Sequence, residues 1–207
     1  MLKKAVLAAA MTLCLGMALP AFAEVESVQA SVGLLDMPWP QVKTDNKAAD
    51  KMVNQNIKAF MDDFRNGFVD RKFTAGKTWY ETKFEDPQLL SLLLSDVRTE
   101  GSVSTQRTVG AVYDMSTGDR LPLASFVRIT LADINDRLKT GFYRDGDVHV
   151  YPDHPATRIP TDFFLNPDGS ICLLYQTNEM GSLLEGNVYL RLSPQDISAL
   201  NAKNPRK

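Results

Sequence analysis

The apolar positions of this chain change period several times, and each change predicts an element. Ala49, Met52, Val53, Ile57, Phe60, Met61, Phe64 and Phe68 recur at steps of three and four. That spacing is one face of a long helix, with Asp45 as its N-cap and Gly67 near its end. Residues 78–84 alternate instead, with Tyr80, Thr82 and Phe84 on one side and Glu81 and Lys83 on the other, as in a half-buried strand. Residues 89–97 are almost continuously apolar, and the turn formers at Pro87 and Gly101 close them into a central strand. A further strand is predicted at 105–113, where Val109, Ala111 and Tyr113 are in phase, and residues 114–119 form a tight polar turn.

The second half continues in the same way. Thr130 followed by Asp133 is an acidic capping box that opens a shorter helix, striped by Leu131, Ile134 and Leu138 and ended by Gly141. Residues 142–160, rich in Asp, Gly and Pro, read as a long loop. Residues 163–165 and 171–176 are two strands around Asn166-Pro167-Asp168-Gly169, a turn with proline and glycine where a bulged hairpin loop takes them. Val188, Leu190 and Leu192 alternate in a last strand, and Ser193-Pro194 opens a short terminal helix. Near the start, residues 24–35 read as a polar lead-in and a short strand. Met37-Pro38-Trp39-Pro40 interrupts it, because proline has no N–H to give a ladder. The class is α+β: a mostly antiparallel sheet packed against one long and one shorter helix, plus a short C-terminal helix.

Residues 1–23 read differently from everything after them. Lys3 and Lys4 precede an apolar run from Ala5 to Leu19, Pro20 breaks it, and Ala21-Phe22-Ala23 places small residues where a signal peptidase cuts. The expectation is a cleaved signal peptide, a mature chain from Glu24, and an exported product, periplasmic or secreted. The run falls short of the roughly twenty residues of a membrane span, and no second one follows. Residues 24–207 are expected to form one extracytoplasmic domain, with a possible N-terminal sub-lobe to about residue 100.

Composition narrows the partners. Loss of Lys3 and Lys4 with the leader takes the formal net charge from −2 to about −4. With basic residues scattered, nucleic acid is not an expected partner. Cys172 is the one cysteine outside the leader, so no internal disulfide is expected, and its apolar neighbours Ile171, Leu173 and Leu174 suggest a buried, inert thiol.

Candidate chemistry concentrates in residues 144–154, which hold both histidines and three aspartates. Asp145, Asp147, His149, Asp153 and His154 carry the oxygen and imidazole donors of a calcium or zinc site, but the spacing matches no calcium loop and no helical histidine pair. The plain reading is a solvated polar loop. Between the two lies an interaction surface using His149, Tyr151 and His154. Trp39, between two prolines, is a further ligand-binding candidate, whereas Trp79 and Tyr80 read as core. No Gly-x-Ser-x-Gly elbow, Walker lysine or dinucleotide spacing is present, so no catalytic residue is assigned and no cofactor is expected. Asp62-Asp63 reads as a hydrated patch on the long helix.

The order of these blocks resembles a known family. The resemblance starts near Pro38 and runs through Asn54-Gln55-Asn56-Ile57 and Leu89-Leu90-Ser91-Leu92. It is sharpest at Tyr113-Asp114 with Thr117-Gly118-Asp119-Arg120-Leu121-Pro122-Leu123 and Phe126. It continues in Phe163-Phe164-Leu165, Asp168-Gly169-Ser170-Ile171, Tyr175-Gln176, Gly186 and Leu190-Arg191-Leu192-Ser193. The chain is similar to DUF3298, an extracytoplasmic domain of unknown function found in lysozyme-sensing anti-sigma factors and ahead of peptidoglycan deacetylase domains. The resemblance implies a sensory or binding module, with lysozyme as one candidate ligand. The expected function is therefore a non-enzymatic binding domain of the cell envelope, recognising a protein or a cell-wall glycan through its long loops at 142–160 and 177–187. The alternative is a metal-dependent envelope hydrolase built on residues 145–154.

Overall fold

The computed structural model describes residues 23–144, 148–176, 179–180 and 187–205. The predicted signal peptide up to residue 22 and residues 177–178 and 181–186 of the predicted second loop lie outside them, and so do Asp145 and Asp147 of the candidate metal set.

Two five-stranded sheets form the frame. The first contains β1 (Glu24–Val32), β2 (Leu35–Lys43), β3 (Ala75–Glu85), β4 (Leu89–Glu100) and β5 (Val103–Asp114), in that order across the sheet. All its pairs are antiparallel except a short parallel contact of β2 with β3 at Leu35↔Gly76 and Asp36↔Lys77. The second is wholly antiparallel, ordered β7 (Val148–Val150), β6 (Phe142–Arg144), β10 (Val188–Leu192), β9 (Ile171–Tyr175), β8 (Phe163–Leu165). Helix α1 (Lys47–Val69) follows β2, α2 (Leu131–Leu138) precedes β6, and α3 (Pro194–Lys203) ends the described chain.

The α+β class and all three helices agree with the sequence pattern, but the strands divide into two sheets. Leucines of β4 explain the division, because they are apolar on both faces. Leu90, Leu92 and Leu94 pack under Val53, Ile57 and Phe60 of α1. Leu93, on the opposite face, meets Phe164, Cys172 and Leu174 of the second sheet. The far face of that second sheet carries Phe163, Leu165, Leu173, Leu190 and Leu192, covered by Ile134 and Leu138 of α2 and by Ile197 and Leu200 of α3. The layers run α1, first sheet, second sheet, α2 with α3. The two main helices thus cover different sheets, not one common face.

Local devices set the boundaries. Thr130 with Asp133, and Ser193 with Asp196, form reciprocal capping boxes at α2 and α3. Asn46, not Asp45, caps α1: its Oδ1 accepts from the N–H groups of Ala48 and Ala49, both at 3.2 Å. The Asn46 amide also donates to Ser116 O at 2.6 Å, fixing the β5 turn over the start of the helix. Gly118 in that turn has φ +81°, and a Cβ there would sit 2.5 Å from Ala49 O. Between the sheets, Gly110 of β5 lets the backbone of β8 approach; a Cβ would lie 2.5 Å from Phe163 O.

Two sequence readings are corrected. Residues 142–160 are not all loop, since β6 and β7 form a short hairpin with Phe142↔Val150 and Tyr143↔His149. The prolines do not interrupt the first strand either: Pro38 and Pro40 lie inside β2, which pairs with β1 along its whole length. The reason is direction. Pro38 O accepts from Thr78 Oγ1 at 2.7 Å, and both backbone polar groups of Val42 bond the Asn54 side chain, at 2.9 and 2.8 Å. Residues 38, 40 and 42 therefore point their backbone away from β1, towards a side where the β3 ladder has already ended. The missing N–H groups cost the β1 ladder nothing.

Candidate functional site

The two edges of the first sheet are finished differently. On β5, the outward carbonyls of Thr108, Gly110 and Val112 are each taken. The Gln176 side-chain amide brackets Thr108, accepting from its N–H at 3.1 Å and donating to its C=O at 2.6 Å. Arg120 Nη2 donates to Gly110 O at 2.8 Å, and Leu121 N donates to Val112 O at 2.7 Å. On β1, β2 is the sole partner strand among the described residues. By the register above, Glu26, Val28 and Ala30 share their backbone bonds with β2, while Ser27, Gln29 and Ser31 present theirs outward.

Next to that open edge, between the β1–β2 ribbon and α1, lies an apolar groove of about 410 Å³. Val28, Met37, Trp39, Ile57 and Met61 supply its apolar lining. Its rim holds Lys58, Asp62 and Arg65. Asp62 pairs with Lys58 one helical turn before it and with Arg65 at 2.9 Å. These partners, Lys58 first, hold its carboxyl below the ordinary carboxylate range. Two cations to one carboxylate leave the rim with an excess of positive charge. At the ribbon tip, where Gly33 approaches the Phe68 ring, Val32, Leu34 and Val69 are 55%, 70% and 69% exposed. Groove and tip make a concentrated apolar surface with a charged border.

Those predicted site residues that are described lie in two places. Trp39 lines the groove, half-buried. Tyr151 and His154 are exposed on the segment after β7, at the edge of the other sheet. His154 Nδ1 lies 3.4 Å from Pro155 O, and Asp153 is exposed with its backbone N–H bonded to Met180 O at 3.0 Å. His149 lies in β7, and its side chain, like Asp145 and Asp147, falls outside the described atoms. Among the described residues no three His, Cys, Asp or Glu side chains gather as metal ligands.

Asp63 is exposed, as its place on the polar face of the helix suggests, and it is also paired. It joins Arg98 at 2.8 Å and Arg107 at 3.0 Å, and both arginines also bind the fully buried Asp96. Arg98 stacks over Phe64 and Phe73, and Arg107 over Phe60 at 4.8 Å, so this cluster clamps α1 to β4 and β5. Cys172 is buried, and burial pushes its thiol up to about 11.

Two crystal structures share this architecture. One is a DUF3298 family member from Bacteroides fragilis, 12% identical, with a TM-score of 0.53. The other is a DUF3298 family protein from Pseudomonas aeruginosa PAO1, 10% identical, with a TM-score of 0.56. Each alignment covers 86% of this chain and 93% of the other. The chain has the DUF3298 fold. No family model matches the sequence, and no curated protein does. The shared DUF3298 architecture carries the frame, and at such identities it assigns no residue a role.

The groove went unread in the sequence for a definite reason. Ile57 and Met61 were correctly placed on the apolar face of α1, but that face is wider than the ribbon that covers it. Met61 stays half-buried beside Trp39. The one available signal was tryptophan between prolines, a large aromatic side chain that needs an apolar surface to pack on.

Proposed function

We propose that this protein is an exported, non-enzymatic binding domain of the cell envelope, and that it recognises a protein partner at the β1 edge and the adjoining groove. The observation that carries this reading is the asymmetry of the first sheet. One edge is closed carbonyl by carbonyl from Thr108 to Val112, and the other is open, among the described residues, beside an apolar groove. An extended partner segment adding to β1 would bond Ser27, Gln29 and Ser31 and set alternate side chains over Trp39 and Met61. The positive excess of the rim fits an apolar segment flanked by acidic residues. Among the described residues no helix is long and apolar enough to cross a membrane.

The test is capture from cell-envelope extract on the immobilised protein, compared with Ser27→Pro, which blocks an added strand, and Met61→Glu, which charges the groove. A saturable partner held by the parent and lost by both variants is expected. A partner retained by both, or none captured, overturns the reading. Lysozyme, the ligand that the family resemblance suggests, is titrated in the same format at low and raised salt; attraction that vanishes with salt is electrostatic only. Export is checked by N-terminal sequencing of the protein from the envelope fraction, with Glu24 expected first; a chain retained inside the cell with its leader intact refutes it.

A further inference from the structure

The rim of the groove fits an apolar segment flanked by acidic residues, and β1 is itself such a segment. Val25, Val28, Ala30 and Val32 are its apolar positions, and its only charges, Glu24 and Glu26, stand at its start. The strand also lacks the usual guards of a free edge. It has no lysine and no proline, and from Ser27 to Leu34 there is no charged residue.

Register restricts how two copies of β1 can meet. The backbone groups that point away from β2 belong to the odd positions Val25, Ser27, Gln29 and Ser31. An antiparallel pair of copies must therefore set odd positions opposite odd ones. Of the symmetric registers that do so, the one centred on Val28 pairs the strand over its whole length. Ser27 then exchanges both backbone bonds with Gln29 of the second copy, and Val25 does so with Ser31. Glu24 comes opposite Val32 and Glu26 opposite Ala30, so no like charges face one another.

The same register satisfies the charge of the rim. Phe64 packs on Leu35 and Met37, so Arg65, next to it, stands at the Val32 end of the groove. The acidic start of the second β1 arrives at that end. Glu24 is exposed and available there, whereas Glu26 is already bonded by Lys43 of its own chain. The two-fold axis passes through the sheet at Val28, which places both α1 helices on one face and opens the two grooves into each other.

We propose that the partner of the β1 edge is a second copy of this chain, joined β1 to β1 in the antiparallel register centred on Val28, so that the two five-stranded sheets become one. This rests on the reading of that edge given above and names its occupant.

The test is sedimentation velocity of the protein isolated from the envelope fraction, from about 1 to 500 µM. A reversible dimer is expected, with a Kd on the order of 10 µM, since the seam is one pair of strands and a shared rim. Well below that concentration the chain is monomeric. Ser27→Pro gives up no bond to β2 and should stay folded, yet it loses a donor on each side of the axis and should raise the Kd about tenfold or more. Arg65→Glu should raise it about threefold or more. Cross-linking reads the register. Opposed residues of a non-hydrogen-bonded pair have Cα atoms about 4.5 Å apart, so Val28→Cys should form a disulfide with its own copy, with oxidised glutathione taking the electrons. Ser27→Cys lies diagonal to its own copy, beyond the roughly 7 Å limit, and should link far less. The native Cys172 is buried and does not compete. A chain monomeric up to about 500 µM overturns the proposal, while the reading of the edge survives if capture from extract is still lost in Ser27→Pro. A dimer unaffected by Ser27→Pro, or equal cross-linking at the two cysteine positions, overturns it as well.

Discussion

Proline substitutions at two neighbouring positions of β1 give opposite expectations from one register. Ser27 lies opposite Pro40 and Val28 opposite Trp39. Because residues 38, 40 and 42 face away from β1, Ser27 gives no ladder bond to β2, while Val28 donates its N–H to Trp39. Ser27→Pro therefore removes no internal bond, and the Ser27 side chain is exposed, so no packing is lost. Its cost should stay within about 1 kcal/mol. Val28→Pro strips the donor from a Trp39 carbonyl beside the groove, about 1–3 kcal/mol, and reshapes a half-buried apolar contact worth about 1 kcal/mol more. For a domain of this size each kcal/mol moves Tm by about 2–4 °C. Thermal unfolding followed by circular dichroism should place Ser27→Pro within about 4 °C of the parent and Val28→Pro about 4–16 °C below it. Equal losses, or the reverse order, refute the register, the open edge, and with them the docking mode proposed for the groove.

Asp133 is buried and bonded by Lys203, Thr130 and Asn204, which tie α2 to the end of α3. Those partners, Lys203 first, hold its carboxyl far below the ordinary value, so its stabilisation is complete above about pH 4 and is lost as the pH falls further. Asp133→Asn should cost about 1.5–3 kcal/mol at pH 7 and flatten the acid limb of the stability curve, whereas an unchanged acid slope in denaturant titrations would contradict this. The Cys172 thiol, pushed up to about 11, should resist a thiol reagent at pH 8 until the protein is unfolded; prompt labelling of the native state would show the site to be open. Gly110→Ala forces a methyl against the Phe163 backbone and should lower stability by about 1–3 kcal/mol in urea unfolding, while a neutral result would mean that the sheets are not held at this distance.

Locally coded features were legible in the sequence. The stripe from Ala49 to Phe68 announced α1, the box at Thr130 announced α2, Ser193 followed by Pro194 announced α3, and Asn166-Pro167-Asp168-Gly169 announced the β8–β9 hairpin with Gly169 at φ +78°. Each is decided within about one helical turn or one hairpin loop, a range over which the sequence itself carries the geometry. β2 was missed because its buried residues, Leu35, Met37, Pro40 and Val42, change parity midway. The ribbon coils so that first one face and then the other is covered, a twist that two-stranded ribbons favour and that erases a period of two.

Tertiary structure alone decided the rest. The unbroken apolar run of β4 said that both its faces are covered, yet it did not say that α1 takes one and a second sheet the other. The β1 edge, open among the described residues, and the groove at Trp39 arise where elements far apart in the chain meet or fail to meet. Periodicity reports which positions are apolar; which surfaces are left over is settled only when every other surface has found its partner.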